Sequence, residues 1–548
     1  MNGVLDGKAS KAWSHIQELP DEILGHVFLL NTGDEVFQNP HDGLLNLLRI
    51  MGVCKRWHAV VTDFSLLWSR VINYEKDTVK CVEELLKRSS PALLDVGQDM
   101  MFKPVALQDP RAKNVLQTIF QDNARIKTLN LKIRFSPWSF ISKNFLQNPA
   151  PNLEFLNIAT ACPFPDCYHD GPLFANEAPR LRRLHMERCF TNFSVPVLSN
   201  LTEISVSGIT KPNHSPRWFS STQSETSHSA PTVFGWLQAL QNMSRLRYLT
   251  LTDAIGPLRT EDESIVKVEL SKLRLLTISS TFDEGATLVD RLQLPTSCGL
   301  RLRIKATRGP PHDGMAKLHG ALKRQLPSWQ EQSPNRYLQA KILDGKRIHF
   351  GNNRRVGHVW NMTEEEELQE HAHTSADPLL WLILLFQEPA DTLQHFNQLF
   401  ELYTSTYSST RHFDFWFDEH TEPPTIPYQS FHSLKVLDLI ELSPGPVLSY
   451  LQTSSLRNSP SLPSLRTLCL TRTPLANDSM RDSLVAFLKW RQQIKKPLSD
   501  LVLIQTGANM SFVEKLKQDY QVKVDYRGSD PIRQNTLFGR AEQDSDGD

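Results

Sequence analysis

IQELPDEILGHVFLL, residues 16–30, and LLNLLRIMGVCKRWHAVVTDFSLLWSRV, residues 44–71, decide how this chain is read. Pro20 has no N–H to donate and a fixed φ, which suits the first position of a helix. Asp21 and Glu22 follow, where negative charge favours the positive end of the helix dipole. Ile23, Leu24, Val27, Phe28 and Leu30 then share a broad apolar face at helical spacing, and Asn31-Thr32-Gly33 is a polar stop with a glycine. Leu44 to Met51 fits a second short helix. After Gly52 a third begins, with Val53, Trp57, Val60 and Val61 on one face and Cys54 expected to be buried and inert. Phe64, Leu66, Leu67 and Trp68 close the unit. About fifty residues in three short helices hide only roughly 60% of the surface the unfolded chain exposes. The segment has more large apolar side chains than that. The surplus either meets a partner or packs against the chain that follows.

Three motifs stand in order: Leu19-Pro20, Val53-Cys54-Lys55-Arg56-Trp57 and Leu67-Trp68. Together they resemble the F-box signature, over about a tenth of the chain. The departure is an insert, Asn31 to Gly43, between the first two helices. The resemblance implies a docking role. F-box domains bind a Skp-family adaptor and through it a cullin scaffold, in a ubiquitin ligase. Carried over by motif, the contact set is Leu19, Pro20, Ile23, Leu24, Val27, Val53, Cys54, Trp57, Leu67 and Trp68. Phe28 and Val60 are expected inside. A standard interface buries about 800 Å² per partner, which such a surface could supply.

Composition bounds the rest. The chain has 548 residues, 40% of them hydrophobic, with Lys plus Arg equal to Asp plus Glu at 60 each. A net charge of zero argues against a dedicated nucleic-acid or anionic-membrane binder, though not against a local patch. Seven scattered cysteines fit reduced thiols. The N-terminus lacks a signal-peptide core, and the longest apolar run, Leu379 to Phe386, is too short to span a bilayer. The expected compartment is cytoplasmic or nuclear.

Past Trp68 one pattern recurs. It reads IKTLNL at Ile126, LEFLNI at Leu153, LRRLHM at Leu181, LTEISV at Leu201, LRYLTL at Leu246 and LRLLTI at Leu273. It returns as LKVLDL at Leu434, LRTLCL at Leu465 and, more weakly, LSDLVL at Leu498. The uneven spacing is that of an irregular leucine-rich repeat array. The last apolar residues of LxxLxL alternate as strand residues do, and one such unit cannot hide its apolar face without stacking on others. LxxL is also a helical spacing. The short copies and the prolines before three of them (Pro151, Pro179, Pro463) favour strands. The expected architecture is α+β: a three-helix F-box followed by an α/β leucine-rich-repeat-like solenoid. Its parts would be a disordered N-terminus (1–15), the F-box (16–72), a helical linker (73–124), the array (125–527, with a mobile loop at about 207–232) and a disordered acidic tail (528–548).

Between copies, helices are expected at Asp77–Lys87, Asp109–Asp122, Met315–Leu326 and Thr392–Tyr403, and strands at Leu300–Ala306 and Leu379–Phe386. Lys341 to Phe350 carries Asp344-Gly345, a hairpin signal. Phe413, Phe415 and Phe417 alternate on one strand face, and Thr363 with Glu366 makes a capping box. No chemistry-bearing constellation emerges. Cys162, Cys167 and His169 are too loosely spaced for zinc. His371 and His373 lack a carboxylate partner, and neither a phosphate loop nor a nucleophile elbow is present. No cofactor or metal is expected, and a ligase adaptor needs no catalytic residue, since it works by raising effective concentration. The outward strand residues Asn130, Lys132, Asn157, His185, Glu187, Ser205, Thr250, Thr252, Thr277, Asp438 and Arg472 form the expected face for an unknown protein target, with no nucleic acid and no membrane bound. The Ser207–Thr232 loop and the Phe413 strand are rival sites. Two other classes stay open: an F-box scaffold outside any ligase, and an enzyme with a dispersed site.

Overall fold

The computed structural model describes residues 16, 18–30, 40–97, 105–106, 110–134, 138–160, 167–210, 230–258, 267–295, 297–305, 312–332, 337–343, 347–351, 380–385, 399, 412–417, 433–440, 444–453, 462–473 and 475–527. Several expectations lie wholly or largely outside the described residues: the 1–15 segment, the insert up to residue 39, Cys162, most of the Ser207–Thr232 loop, Asp344-Gly345, the capping box with His371 and His373, Thr392–Tyr403, and the tail from 528. The chain divides into two compact units, one of residues 1–280 with 291–295, the other of residues 281–290 with 296–548.

Unit one starts with helices. These are α1 (Asp21–Leu30), α2 (Pro40–Met51), α3 (Lys55–Asp63), the single turn α4 (Ser65–Trp68) and α5 (Val79–Arg88). Thr78 caps α5 by accepting from the Cys81 amide. Strand β1 (Leu94–Gly97) and helix α6 (Pro110–Phe120) follow, so part of the stretch read as a helical linker is sheet. Then come β2 (Ile126–Arg134), β3 (Phe155–Thr160), β4 (Arg183–Glu187), β5 (Glu203–Ser207), helix α7 (Val233–Gln241), β6 (Tyr248–Thr252) and β7 (Leu275–Thr281). All seven strands pair in parallel and in chain order. Successive parallel strands require a crossover each time, which is why the copies are separated by long connections.

Register makes the alternation visible. Leu129, Leu156, Leu184, Ile204, Leu249 and Leu276 form one cross-strand row, and Leu131, Ile158, Met186, Val206, Leu251 and Ile278 the next. Every one of these is buried. At about 1.5–3 kcal/mol per buried aliphatic side chain, these rows drive the assembly. Trp236 of α7 is buried with them, stacked 4.7 Å from Phe193, its indole N–H donating to the Ala254 carbonyl at 3.0 Å.

A turn recurs before the strands. In six copies the first leucine donates its amide to the carbonyl three residues earlier: Leu153 to Ala150, Leu181 to Ala178, Leu201 to Leu198, Leu246 to Met243, Leu273 to Leu270, and Leu465 to Leu462. Pro151, Pro179 and Pro463 occupy the second position of such a turn, where a fixed φ is favourable. After the strands the backbone turns left-handed, at Arg188, Gly208 and Asp253 in unit one and at Arg472 and Gln505 in unit two.

Unit two begins with α8 (Phe282–Arg291). It continues with β8 (Gly299–Lys305), α9 (His312–Gln332), β9 (Tyr337–Leu343), β10 (Arg347–Gly351), β11 (Leu380–Leu385), β12 (His412–Phe417) and β13 (Val436–Ile440). The last elements are α10 (Pro444–Thr453), β14 (Thr467–Thr471), α11 (Asp478–Gln493), β15 (Asp500–Ile504), α12 (Met510–Tyr520) and β16 (Lys523–Arg527). The lateral order is β8, β11, β10, β9, β12, β13, β14, β15, β16. β10 runs antiparallel to both neighbours, and β9 with β10 is the hairpin expected at Lys341–Phe350. Leu379–Phe386 reads as a strand, as its length implied. Leu302, Leu384, Phe413, Leu439, Leu470 and Leu503 are buried.

Candidate functional site

The head is built from two apolar stripes on one helix. Leu24 and Phe28 of α1 point inward and are buried with Leu47 of α2 and Val61 of α3. Gly25 is required against α3: a Cβ there would stand 2.9 Å from the Phe64 ring. Ile23, Val27 and Leu30, at i, i+4 and i+7, form the other stripe, and it stays outside at 48%, 40% and 75% exposure. Leu45 and Leu48 of α2 and Val53 before α3 are also exposed. The other exposed large hydrophobic residues among the described ones are Phe234 and Met510, far along the chain. The uncovered apolar surface is therefore concentrated on residues 23–53.

A groove of about 320 Å³ opens beside this stripe. It is lined by Ile16, Leu19, Leu24, Val27, Phe28, Asn46, Arg49, Ile50 and Trp57. Trp57 is half-buried, its ring 4.9 Å from that of Phe28. Arg56 fixes the groove wall: its guanidinium pairs with Asp21 at 2.7 Å and donates to the Leu19 carbonyl, tying the start of α3 to the start of α1. Cys54 is exposed, not buried as the sequence suggested. It lies outside the helix at its N-cap, where its sulfur accepts from the Trp57 amide at 3.5 Å.

Three residues of the expected contact set are buried. Leu24 faces the helical core. Leu67 is fully buried, and Trp68 is 3% exposed, its indole N–H donating to the Val61 carbonyl at 2.7 Å. The Arg88 guanidinium of α5 covers the Trp68 ring at 4.8 Å. The closing Leu-Trp thus joins Val71, Ile72 and Tyr74 in the core that supports the head. Leu19, Pro20, Ile23, Val27, Val53, Cys54 and Trp57 keep surface. Phe28 and Val60 are internal, as expected. Leu30, Leu45 and Leu48, outside the expected set, are exposed as well, and their apolar character on a short helix was the available signal.

The expected target face is assembled by register. Asn130, Asn157, His185, Ser205, Thr250 and Thr277 occupy a single cross-strand row, and Lys132, Glu187 and Thr252 fall in the next. Asn157 is an exception to availability, since it is buried and its amide donates to Asn130 Oδ1 at 2.8 Å. Asp438 and Arg472 belong to unit two and do not join this row. Asp438 is buried and accepts from Thr471 Oγ1 at 3.2 Å, and Arg472 Nε donates to Gln505 Oε1 at 3.1 Å.

On that face His185 Nε2 lies 2.8 Å from Glu203 Oε1, its ring edge-on to Phe155, which the Arg183 guanidinium covers at 4.4 Å. The hydrogen bond to His185, then the charges of His185 and Arg183, hold the Glu203 carboxyl below the usual carboxylate range against the opposing effect of burial. A depressed carboxyl contributes stability above its unfolded value and loses it as pH falls through the folded one. Glu203→Gln is therefore expected to lower the thermal midpoint by about 2 °C near neutrality and to converge on wild type as pH falls through the folded value of the carboxyl. Thermal unfolding from pH 3 to 7 reads this, and a gap independent of pH would refute the pairing.

Among the described residues no three His, Cys, Asp or Glu side chains come together as a metal site, and no helix is long and apolar enough to cross a membrane. A family model described as F-box-like matches residues 16–73. No curated protein matches the chain. The N-terminal head is thus an F-box-like domain, followed by a region of parallel strands with crossover connections.

Proposed function

We propose that this chain is the substrate-recognition adaptor of a Skp–cullin–F-box ubiquitin ligase, an intracellular, non-catalytic subunit. The F-box-like head docks the Skp-type adaptor, and the strand region holds a protein target. One observation carries the reading: the apolar side chains left outside the fold cluster on α1, α2 and the start of α3, around a groove, in the segment the F-box-like family matches. The docking set is Leu19, Pro20, Ile23, Val27, Val53, Cys54 and Trp57, extended by Leu30, Leu45 and Leu48. Leu24, Leu67 and Trp68 support it from beneath.

The strand region is read as an irregular leucine-rich repeat array over 125–527, with 73–124 as its cap. Four recurrences support this: the turn before the strand, the two buried apolar rows, the left-handed residue after the strand, and the residue that follows it. That last position is Cys189, Ile209, Ala254, Thr473 and Thr506, all buried, the ninth place of the repeat consensus. Within the array, Asn130, His185, Glu187, Ser205, Thr250, Thr252 and Thr277 present the hydrogen-bonding face for the target. Tethering the target beside a partner enzyme raises its effective concentration, so the chain needs no catalytic group of its own.

Affinity purification of the full chain from cells, read by mass spectrometry, tests the reading. The expected result is a Skp-type adaptor and a cullin recovered together, both lost when Leu19, Pro20 and Trp57 are changed to alanine in a chain that still folds. Recovery of the adaptor with no cullin would make the protein a scaffold outside any ligase. Recovery of neither would reject the docking role.

A further inference from the structure

The leading edge of the unit-one sheet carries a charge pattern that the chain's zero net charge conceals. In each copy the first leucine is buried, and the residues just before and just after it lie on the other side. In four copies both flanking residues are cationic. Arg125 and Lys127 before β2 are paired within the fold, with Asp122 at 2.8 Å and Glu154 at 3.8 Å; the other six are Arg180 and Arg182 before β4, Arg245 and Arg247 before β6, and Lys272 and Arg274 before β7. Backbone bonds fix them side by side. Thr202 N donates to the Arg182 carbonyl, Arg247 N to the Thr202 carbonyl, and Arg274 N to the Arg247 carbonyl. With strands about 4.8 Å apart, the cations span an edge roughly 15 Å long. The outer residue of the intervening copy is the uncharged Thr202.

Among the described residues nothing neutralises this edge. None of the six cations makes an ion pair among the described residues, and five are exposed, Arg182 being half-buried. Glu154 is engaged with Lys127 at 3.8 Å and Glu203 with His185 at 2.8 Å. Like charges on neighbouring strands disfavour the folded state, so an edge built this way is stabilised by an anion brought from outside.

We propose that this edge binds an acidic polypeptide segment of the target. The inference rests on the reading that the strand region, not the head, holds the target. An extended chain covers about 15 Å in four or five residues, so its alternate carboxylates meet cations at the three copies. A polypeptide suits the site better than a nucleic acid because the adjoining face offers neutral donors and acceptors, His185, Ser205 and Thr250 among them, suited to peptide groups.

The test uses the full chain and a fluorescent peptide of alternating glutamate and glycine, followed by anisotropy. The peptide is expected to bind, with an affinity that falls as salt rises. Arg245→Glu, Arg247→Glu and Arg274→Glu together are expected to weaken it about tenfold or more, with no fall in the thermal midpoint. A control changing Lys489, Lys495 and Lys496 of unit two to glutamate is expected to bind as wild type. The proposal is overturned by absence of binding, by equal binding to the triple variant, by equal loss in the control, or by tighter binding of a single-stranded oligonucleotide. Capture of the Skp-type adaptor, measured on the same variants, is expected to be unaffected. Loss of peptide binding with adaptor capture intact separates this edge from the docking role of the head.

Discussion

Val27→Glu with Val53→Glu is expected to reduce capture of a Skp-type adaptor by about 100-fold or more, with the thermal midpoint moved by no more than about 2 °C. Both side chains are exposed in the isolated chain, at 40% and 47%, so the fold loses little when they become charged. A partner seated on the stripe must bury the new carboxylates without counter-ions, and a buried unpaired charge is among the most costly substitutions in an interface. At about 1.4 kcal/mol per tenfold, a cost of roughly 3 kcal/mol over two sites suffices. The reciprocal substitutions act through the fold. Leu67→Ala is expected to cost about 2–5 kcal/mol and Trp68→Ala about 3–5 kcal/mol, the latter also stripping the Val61 carbonyl of its donor. Adaptor titration and thermal unfolding on the same four proteins separate the two groups. Full binding by the double glutamate variant would show that the exposed stripe is not the docking surface. A stable Trp68→Ala chain that had lost only binding would return Trp68 to the interface.

How much of this was legible in the sequence can be argued residue by residue. Helical spacing identified α1, but Ile23 and Leu24 are chemically alike and adjacent, and a pattern apolar on two sides does not say which side the other helices choose. Packing against Phe64 across Gly25 makes that choice, and it depends on residues some forty positions away. Cys54 was misjudged for a local reason: Gly52-Val53-Cys54 breaks the helix, so the thiol becomes a cap rather than part of a face. The sheet was easier. Period-two alternation survives in LxxLxL whatever lies between copies, and register then follows from the turn that precedes each strand. Asn130 and Asn157 were recognised as outward, yet only the pairing of β2 with β3 shows that one consumes the other. The cationic edge was written plainly at 180–183, 245–247 and 272–274, but a whole-chain charge of zero averaged it away. Division into two units had no sequence signal of comparable strength.

Unit two contains a second strong dependence, on a side chain no motif flagged. Arg491 of α11 is fully buried, with Nη1 donating to the Leu462 carbonyl at 3.0 Å and Nη2 to the Leu465 carbonyl at 2.8 Å. Leu462 sits at a left-handed φ of 54°, unfavourable for a residue with a branched side chain. The turn it opens launches β14, and Arg491 holds both of its ends. Burial without a carboxylate lowers the guanidinium pKa to about 10, which leaves it charged at neutrality. Arg491→Ala removes two donors from buried carbonyls and is expected to destabilise the surrounding structure by about 3–5 kcal/mol. A chain of two units need not unfold in one step, so the sensitive measurement is hydrogen exchange. Amides of β14 and the turn from Leu462 to Leu465 should lose protection, while β2 to β7 keep theirs. Arg491→Met keeps the packing of the stem and is expected to cost less, yet the turn should still open faster because both carbonyls lose the guanidinium donor. Unchanged exchange at Leu465 in the alanine variant would mean that the turn is held by its own leucines, with the guanidinium a buried passenger.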